Sequence, residues 1–205
     1  MPLLSRKFAD AVAYAADAHA PQTRKAAKGS SDPDIPYISH LLAVAGLVIE
    51  DGGNEDEAIA GLLHDVIEDQ DKPEGSRAPD VERCFGDTVL RLVEACSGPK
   101  KEDPGMGDFR VRKQVYLDRL NDEQDAGAVR VSLADKVHNA RSTVNNLEDL
   151  GVATWDRFNS GRTEQLWWYG ELARIYSSKV EQGLASTARA AELRRLVTSM
   201  GAISG

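Results

Sequence analysis

One ten-residue stretch limits what this chain can fold into: Gly61–Gln70, GLLHDVIEDQ. The apolar run Ala58-Ile59-Ala60-Gly61-Leu62-Leu63 leads into His64 and Asp65, then Val66 and Ile67, then Glu68 and Asp69. On a helix, residues four apart share a face, so His64 is expected beneath Glu68 and Asp65 beneath Asp69. Burying a carboxylate without a partner is costly, and burying several is worse. A bound cation removes that cost, because neutral imidazole and carboxylate oxygen are both ligands for divalent metals. A solvated helix end with an incidental histidine would use the same residues, and this segment alone leaves the two readings open.

Residues 125–150 repeat the pattern. Val129, Val131, Leu133, Ala134 and Val137 mark the buried face of a helix, and Asp135, His138 and Asn139 stand three and four apart within it. A surface acid paired with Lys136 or Arg141 is the alternative for Asp135, and its setting between Ala134 and Val137 weighs against that. A third histidine, His40, follows Tyr37-Ile38-Ser39 at the head of the apolar segment LLAVAGLVIEDGG. Ser39 is the expected N-cap there, and Gly52-Gly53 the stop. His40 reads either as a satisfied core histidine or as a ligand. Arg24 and Lys25 stand at the base of a Gly/Ser/Asp/Pro-rich loop over 26–36, as solvated charges or as anion ligands.

The remaining segments are helical or loop. Leu4, Phe8, Ala11, Val12 and Ala15 give a helix over 4–20 that is not a signal peptide. Asn54 with Glu57 opens the helix that carries His64. Residues 70–79 form a loop, Asp80–Phe85 and Asp87–Ala95 are short helices broken at Gly86, and Ser97–Gly107 is a second loop. Helices follow at Val111–Leu120, Arg162–Tyr176 and Ser186–Met200, with GAISG as a frayed tail. Leu166-Trp167-Trp168-Tyr169 reads as core. Period-2 alternation, repeats and low-complexity tracts are missing, so the expectation is an all-α bundle of roughly eight to ten helices.

At 205 residues the chain is expected to be one domain, 1–205. Its net charge of −8 argues against a nucleic-acid partner, although a local pocket of Arg, Lys and metal can still take an anionic small molecule. No apolar run approaches the roughly 18 residues of a membrane span. Cys84 and Cys96 fit no metal or redox spacing and read as core residues of a reduced, cytoplasmic protein.

Taken in order, Ala18-His19, Gln22, Arg24-Lys25, Pro36-Tyr37-Ile38-x-His40, Leu62-Leu63-His64-Asp65-Val66-x-Glu68-Asp69 and Leu133–Arg141 resemble the motifs of the HD-domain phosphohydrolases. Within them the set is most similar to the hydrolase domain of the RelA/SpoT enzymes and the stand-alone small alarmone hydrolases. The resemblance spans roughly residues 5–180, and all four histidines, His19, His40, His64 and His138, fall inside the matched motifs. No synthetase segment is expected.

The resemblance implies an HD-domain helical bundle with a divalent metal, usually manganese, on His40, His64, Asp65 and Asp135. It implies Glu68 and Asp69 as the catalytic pair beside the metal. Arg24 and Lys25 would line the nucleoside and phosphate side, Asn139 would touch ribose or phosphate, and Arg141 would lie near it. The implied reaction removes the 3′-pyrophosphate of (p)ppGpp, giving GDP or GTP and pyrophosphate. The alternatives are the same reaction on (p)ppApp, a general HD nucleotidase, and a nucleotide-sensing domain without turnover. Leu41 stands where the family often has Pro, and Ser132 replaces a frequent Lys. The oligomeric state is left open.

Overall fold

A computed structural model describes residues 4–24, 35–69, 76–100 and 102–203, with the backbone only for Asp69. Most of the expected loop 26–36, residues 70–75 of the loop 70–79, and Lys25 lie outside the described residues. The α-helices are α1 (Arg6–Ala18), α2 (Ile38–Glu50), α3 (Glu55–Leu63), α4 (Val66–Asp69), α5 (Ala78–Phe85), α6 (Asp87–Cys96), α7 (Phe109–Asp122), α8 (Ala126–Leu150), α9 (Gly161–Glu181) and α10 (Thr187–Ile203). A 3₁₀ turn at Gly151–Arg157 joins α8 to α9. The described residues contain no strand; a single antiparallel bridge pairs Thr23 with Pro36. The protein is all-α. No described helix is long and apolar enough to cross a membrane.

The chain divides into two compact units. The first comprises the described residues up to Arg24, then those of Ile35–Gly98 and Asp125–Asp135. Here α3 is the central helix, packed against α1, α2 and α6. It is buried all round at Ala58–Leu63, as its unbroken apolar run requires. Its start is fixed by Asn54, whose side chain accepts the Glu57 N–H at 3.0 Å. Glu57 also pairs with Arg130 on α8. The N-terminus of α8 is capped by Asp125, whose Oδ1 accepts the N–H groups of Gly127 at 2.7 Å and Ala128 at 3.1 Å.

Gly61 sets how closely α3 approaches α2. A Cβ added there would lie 3.2 Å from the Ala45 Cα and 3.3 Å from its N, so backbone meets backbone. Gly61→Ala gains about 1 kcal/mol of helix propensity. Overpacking against a backbone that cannot rotate away costs about 1–3 kcal/mol. The expected net result is a lower urea midpoint for Gly61→Ala and a larger drop for Gly61→Val; an unchanged midpoint for Gly61→Val would show that the helices have room to part.

The second unit comprises the described residues of Pro99–Gln124 and Lys136–Gly205, with α9 packed against α7, α10 and the 3₁₀ turn. Trp168 and Tyr169 are buried and Leu166 and Trp167 half-buried, so the aromatic cluster is core. Lys179 on α9 is fully buried, and its ammonium donates to the Asn121 carbonyl at 2.8 Å and the Glu123 carbonyl at 2.6 Å. Those carbonyls close α7, where a helix end favours positive charge.

Several expectations are corrected. Ser39 is not the N-cap of α2: the helix begins at Ile38, because the Ser39 and His40 N–H groups already bond back to Pro36 and Tyr37 at 3.1 and 2.9 Å. α10 runs on to Ile203, so Gly201–Ile203 is helical rather than frayed. Cys84 is exposed, while Cys96 is buried.

Candidate metal and hydrolase site

The first unit gathers four side chains from three places in the sequence. His40 comes from the first turn of α2, His64 and Asp65 from the end of α3, and Asp135 from α8. The imidazoles meet edge to face, with ring centroids 5.1 Å apart. The Nε2 of His64 lies 3.0 Å from Oδ2 of Asp65 and 3.5 Å from Oδ1 of Asp135. The Nε2 of His40 lies 3.2 Å from Oδ1 of Asp135 and 3.7 Å from Oδ2 of Asp65. His40, His64 and Asp135 are buried; Asp65 keeps 20% of its side chain exposed, so the cluster has one open side.

His64 and Asp65 do not continue the helix. α3 stops at Leu63, the pair occupies a turn, and α4 restarts at Val66. The cause is in the His64 side chain: Nδ1–H donates to the Gly61 carbonyl at 2.9 Å. That is the carbonyl an unbroken helix offers to the Asp65 N–H. The bond also fixes the role of each ring nitrogen, because a carbonyl only accepts: Nδ1 keeps its proton on Gly61, and Nε2 is the atom that meets the carboxylates, through a proton or through a cation in its place.

This electrostatic arrangement calls for positive charge. Burial would push the His64 imidazolium pKa down, but the charges of Asp65 and Asp135 override it and hold it well above the usual histidine value. Burial dominates at His40 and lowers its pKa despite Asp135. Asp65 is held well below the usual carboxylate range: burial works against this, and His64 opposite it prevails. A proton on His64 brings one positive charge to two carboxylates; a divalent cation brings two.

The residues fit such an ion. His40, His64 and Asp65 each offer a ligand atom within 4.8 Å of the others, and Asp135 joins through both imidazoles. Neighbouring ligand atoms at about 2.0–2.2 Å from one ion lie about 3 Å apart, close to the spacings found. A ligating histidine also normally donates its second N–H to a carbonyl or carboxylate, as His64 does to Gly61.

The other expected site residues are distributed as follows. Glu68 on α4 is exposed, and its Oε2 accepts the Gly98 N–H at 3.1 Å. Arg24 is half-buried, with its guanidinium carbon 5.7 Å from the Tyr37 ring centroid. The backbone around it is clamped: Arg24 N–H donates to Ile35 at 2.8 Å and Tyr37 N–H to Gln22 at 2.9 Å. Asn139 and Arg141 belong to the second unit. The Nε–H of Arg141 donates to Oε1 of Glu192 at 2.5 Å, which gives it a structural partner on α10. Lys25 and the Asp69 side chain lie outside the described residues. In the sequence Tyr37 stands only as part of the Pro36-Tyr37-Ile38-x-His40 motif; in the structure its hydroxyl donates to Oδ2 of Asp65 at 2.5 Å.

Comparison with known proteins identifies the family. The HD-domain family profile matches residues 11–154. The guanosine-3′,5′-bis(diphosphate) 3′-pyrophosphohydrolase MESH1 of Drosophila melanogaster is 30% identical over 193 residues, covering 93% of this chain and 91% of that one. A probable guanosine-3′,5′-bis(diphosphate) 3′-pyrophosphohydrolase of Synechocystis is 34% identical over 132 residues, which span 64% of this chain and only 16% of that protein. A solved structure, described as a metazoan ortholog of SpoT that hydrolyses ppGpp, superposes with a TM-score of 0.73 at 24% identity over 98% of this chain and 99% of that one; the likeness is one of fold. With the family profile matched over most of its length and a relative aligned nearly end to end, the chain belongs to the HD-domain family, and its kin there are the SpoT-type 3′-pyrophosphohydrolases.

Proposed function

We propose that this chain is a metal-dependent hydrolase that removes the 3′-pyrophosphate of (p)ppGpp, yielding GDP or GTP and pyrophosphate, and that it acts in the cytoplasm as one hydrolase domain. The observation that carries the reading is the ring of two imidazoles and two carboxylates, in a chain aligned almost end to end with a stand-alone pyrophosphohydrolase. His40, His64, Asp65 and Asp135 would hold the metal. Two nitrogens and two carboxylates form a hard-to-borderline donor set, and Mn²⁺ is the ion we assign. When bound, the ion supplies Lewis acidity that brings the pKa of water toward neutrality and offsets charge on the phosphoryl oxygens.

The remaining work falls to protein side chains. Glu68 orients the attacking water and takes its proton, with the Gly98 N–H holding one carboxylate oxygen in place. Water adds at the phosphorus attached to O3′; the bond to O3′ breaks, and that oxygen leaves as a hydroxyl. Asp69 is assigned as the donor of that proton, with its pKa raised by the adjacent acid. Arg24 and Lys25 take the phosphate and nucleoside side. Asn139 is assigned to the ribose or phosphate, and Arg141 chiefly supports structure through Glu192.

The test is turnover of purified protein with ppGpp, ppApp and nucleoside monophosphates, with Mn²⁺ and with EDTA. Pyrophosphate release from ppGpp, stopped by EDTA and restored by Mn²⁺, is expected. Preference for ppApp would reassign the purine. Orthophosphate from monophosphates alone would make the chain a general nucleotidase, and Mn²⁺-supported ppGpp binding without products would make it a sensor.

A further inference from the structure

We infer that Tyr37 is a positioning residue of this site: its phenol holds the Asp65 carboxylate with Oδ2 facing the two imidazoles, and so sets how tightly the metal is held. The inference rests on the metal reading given above.

Asp65 is the ligand whose side chain is least enclosed. It sits in the turn between α3 and α4, and it is the most exposed of the four. Its Oδ2 is the oxygen closest to His64, at 3.0 Å, and also the one facing His40, at 3.7 Å. The Tyr37 hydroxyl donates to that same oxygen at 2.5 Å, within the short range of a charge-assisted O–H···O⁻ bond. A carboxylate oxygen that accepts one proton keeps lone-pair capacity for a cation. A phenol also adds no positive charge. Lysine or arginine in its place would orient Asp65 equally well while repelling the ion.

The ring that carries this hydroxyl is itself held by its neighbours. The Tyr37 N–H donates to the Gln22 carbonyl at 2.9 Å. The ring stacks on His19, with centroids 5.1 Å apart and planes 19° apart, and meets His40 edge-on at 5.4 Å. His19 is buried, and its Nδ1–H donates to Oε1 of the same Gln22 at 2.6 Å. Gln22 thus serves Tyr37 twice, at the backbone and through the imidazole behind the ring. A donor fixed this firmly loses little entropy when it holds its acceptor.

Tyr37→Phe isolates the hydroxyl, because the ring, its stack on His19 and its contact with Arg24 all survive. Partners behind metal ligands typically contribute 10–100-fold in affinity. The Mn²⁺ dissociation constant, read by calorimetric titration and by the EPR signal of free Mn²⁺, is expected to rise by about 10–100-fold in Tyr37→Phe. The Mn²⁺ needed for half-maximal ppGpp hydrolysis should rise by the same factor, and kcat at saturating Mn²⁺ should recover. His19→Leu keeps the phenol but removes its backing, and should shift metal affinity the same way by a smaller factor. Equal Mn²⁺ affinity in wild type and both variants overturns the inference and leaves the metal reading standing. Wild-type protein that binds no Mn²⁺ overturns both. A kcat for Tyr37→Phe that stays low at saturating Mn²⁺, with unchanged metal affinity, also overturns it, since the hydroxyl would then act on something other than the ion.

Discussion

His64→Ala is expected to reduce pyrophosphate release from ppGpp by at least about 10³-fold, the equivalent of about 4 kcal/mol of lost metal assistance. The imidazole does two jobs. Its Nε2 stands at 3.0 and 3.5 Å from the two carboxylates, so removing it opens the ring at its centre. Its Nδ1–H occupies the Gly61 carbonyl, so removing it also releases the turn that aims Asp65. His40 is then the one imidazole left in the four-residue cluster, and the variant should fail to retain Mn²⁺ through gel filtration. Metal content and pyrophosphate release, measured on protein whose helical circular dichroism matches wild type, check the prediction. A variant that turns over ppGpp normally would remove His64 from the site altogether. Stripping wild-type protein with EDTA should mimic the loss of activity and lower the melting temperature, because a ligand held only by the folded state stabilises it by about 2.7 kcal/mol at a concentration one hundred times its Kd.

Glu68→Gln is expected to lower kcat by about 10²–10⁴-fold while leaving Mn²⁺ affinity and KM close to wild type. The substitution is nearly isosteric. A glutamine oxygen still accepts the Gly98 N–H, so the side chain keeps its place and loses only its charge and basicity. This result separates a group that handles a proton from one that binds metal: loss of a ligand appears in metal content, loss of a base in kcat alone. Should Mn²⁺ affinity fall together with kcat, Glu68 belongs among the ligands and the proton assignment is wrong.

The sequence made the helices legible where local chemistry decides them. The Asn54 cap with Glu57 three residues on, and Gly52 at a φ of 79° ending α2, can both be read without knowing what packs nearby. The apolar positions Val129, Val131, Leu133, Ala134 and Val137 are all buried, as their pattern demands. The break at His64 was not legible. Helical periodicity runs unbroken through GLLHDVIED, yet the helix stops at Leu63, where the His64 imidazole takes the Gly61 carbonyl. The kinds of residue that meet in the cluster were readable, because few settings ask for His, His-Asp and Asp on apolar helices. Their supports were not. Tyr37 reaches Asp65 across 28 residues and Arg141 reaches Glu192 across 51, and no local pattern announces either bond. The exposure of Cys84 likewise depends on which face of α5 is left uncovered, which its own sequence does not specify.

The two backbone bonds that join Arg24 to Ile35 and Tyr37 to Gln22 have an evolutionary consequence. They staple the ends of the ten intervening residues together, so whatever lies between can lengthen or shorten while the Asp65 clamp stays put. Chain entropy adds little resistance: doubling such an excursion costs only about 0.6 kcal/mol. Insertions or deletions between Arg24 and Ile35 are therefore expected to leave the Tyr37 hydroxyl seated on Asp65.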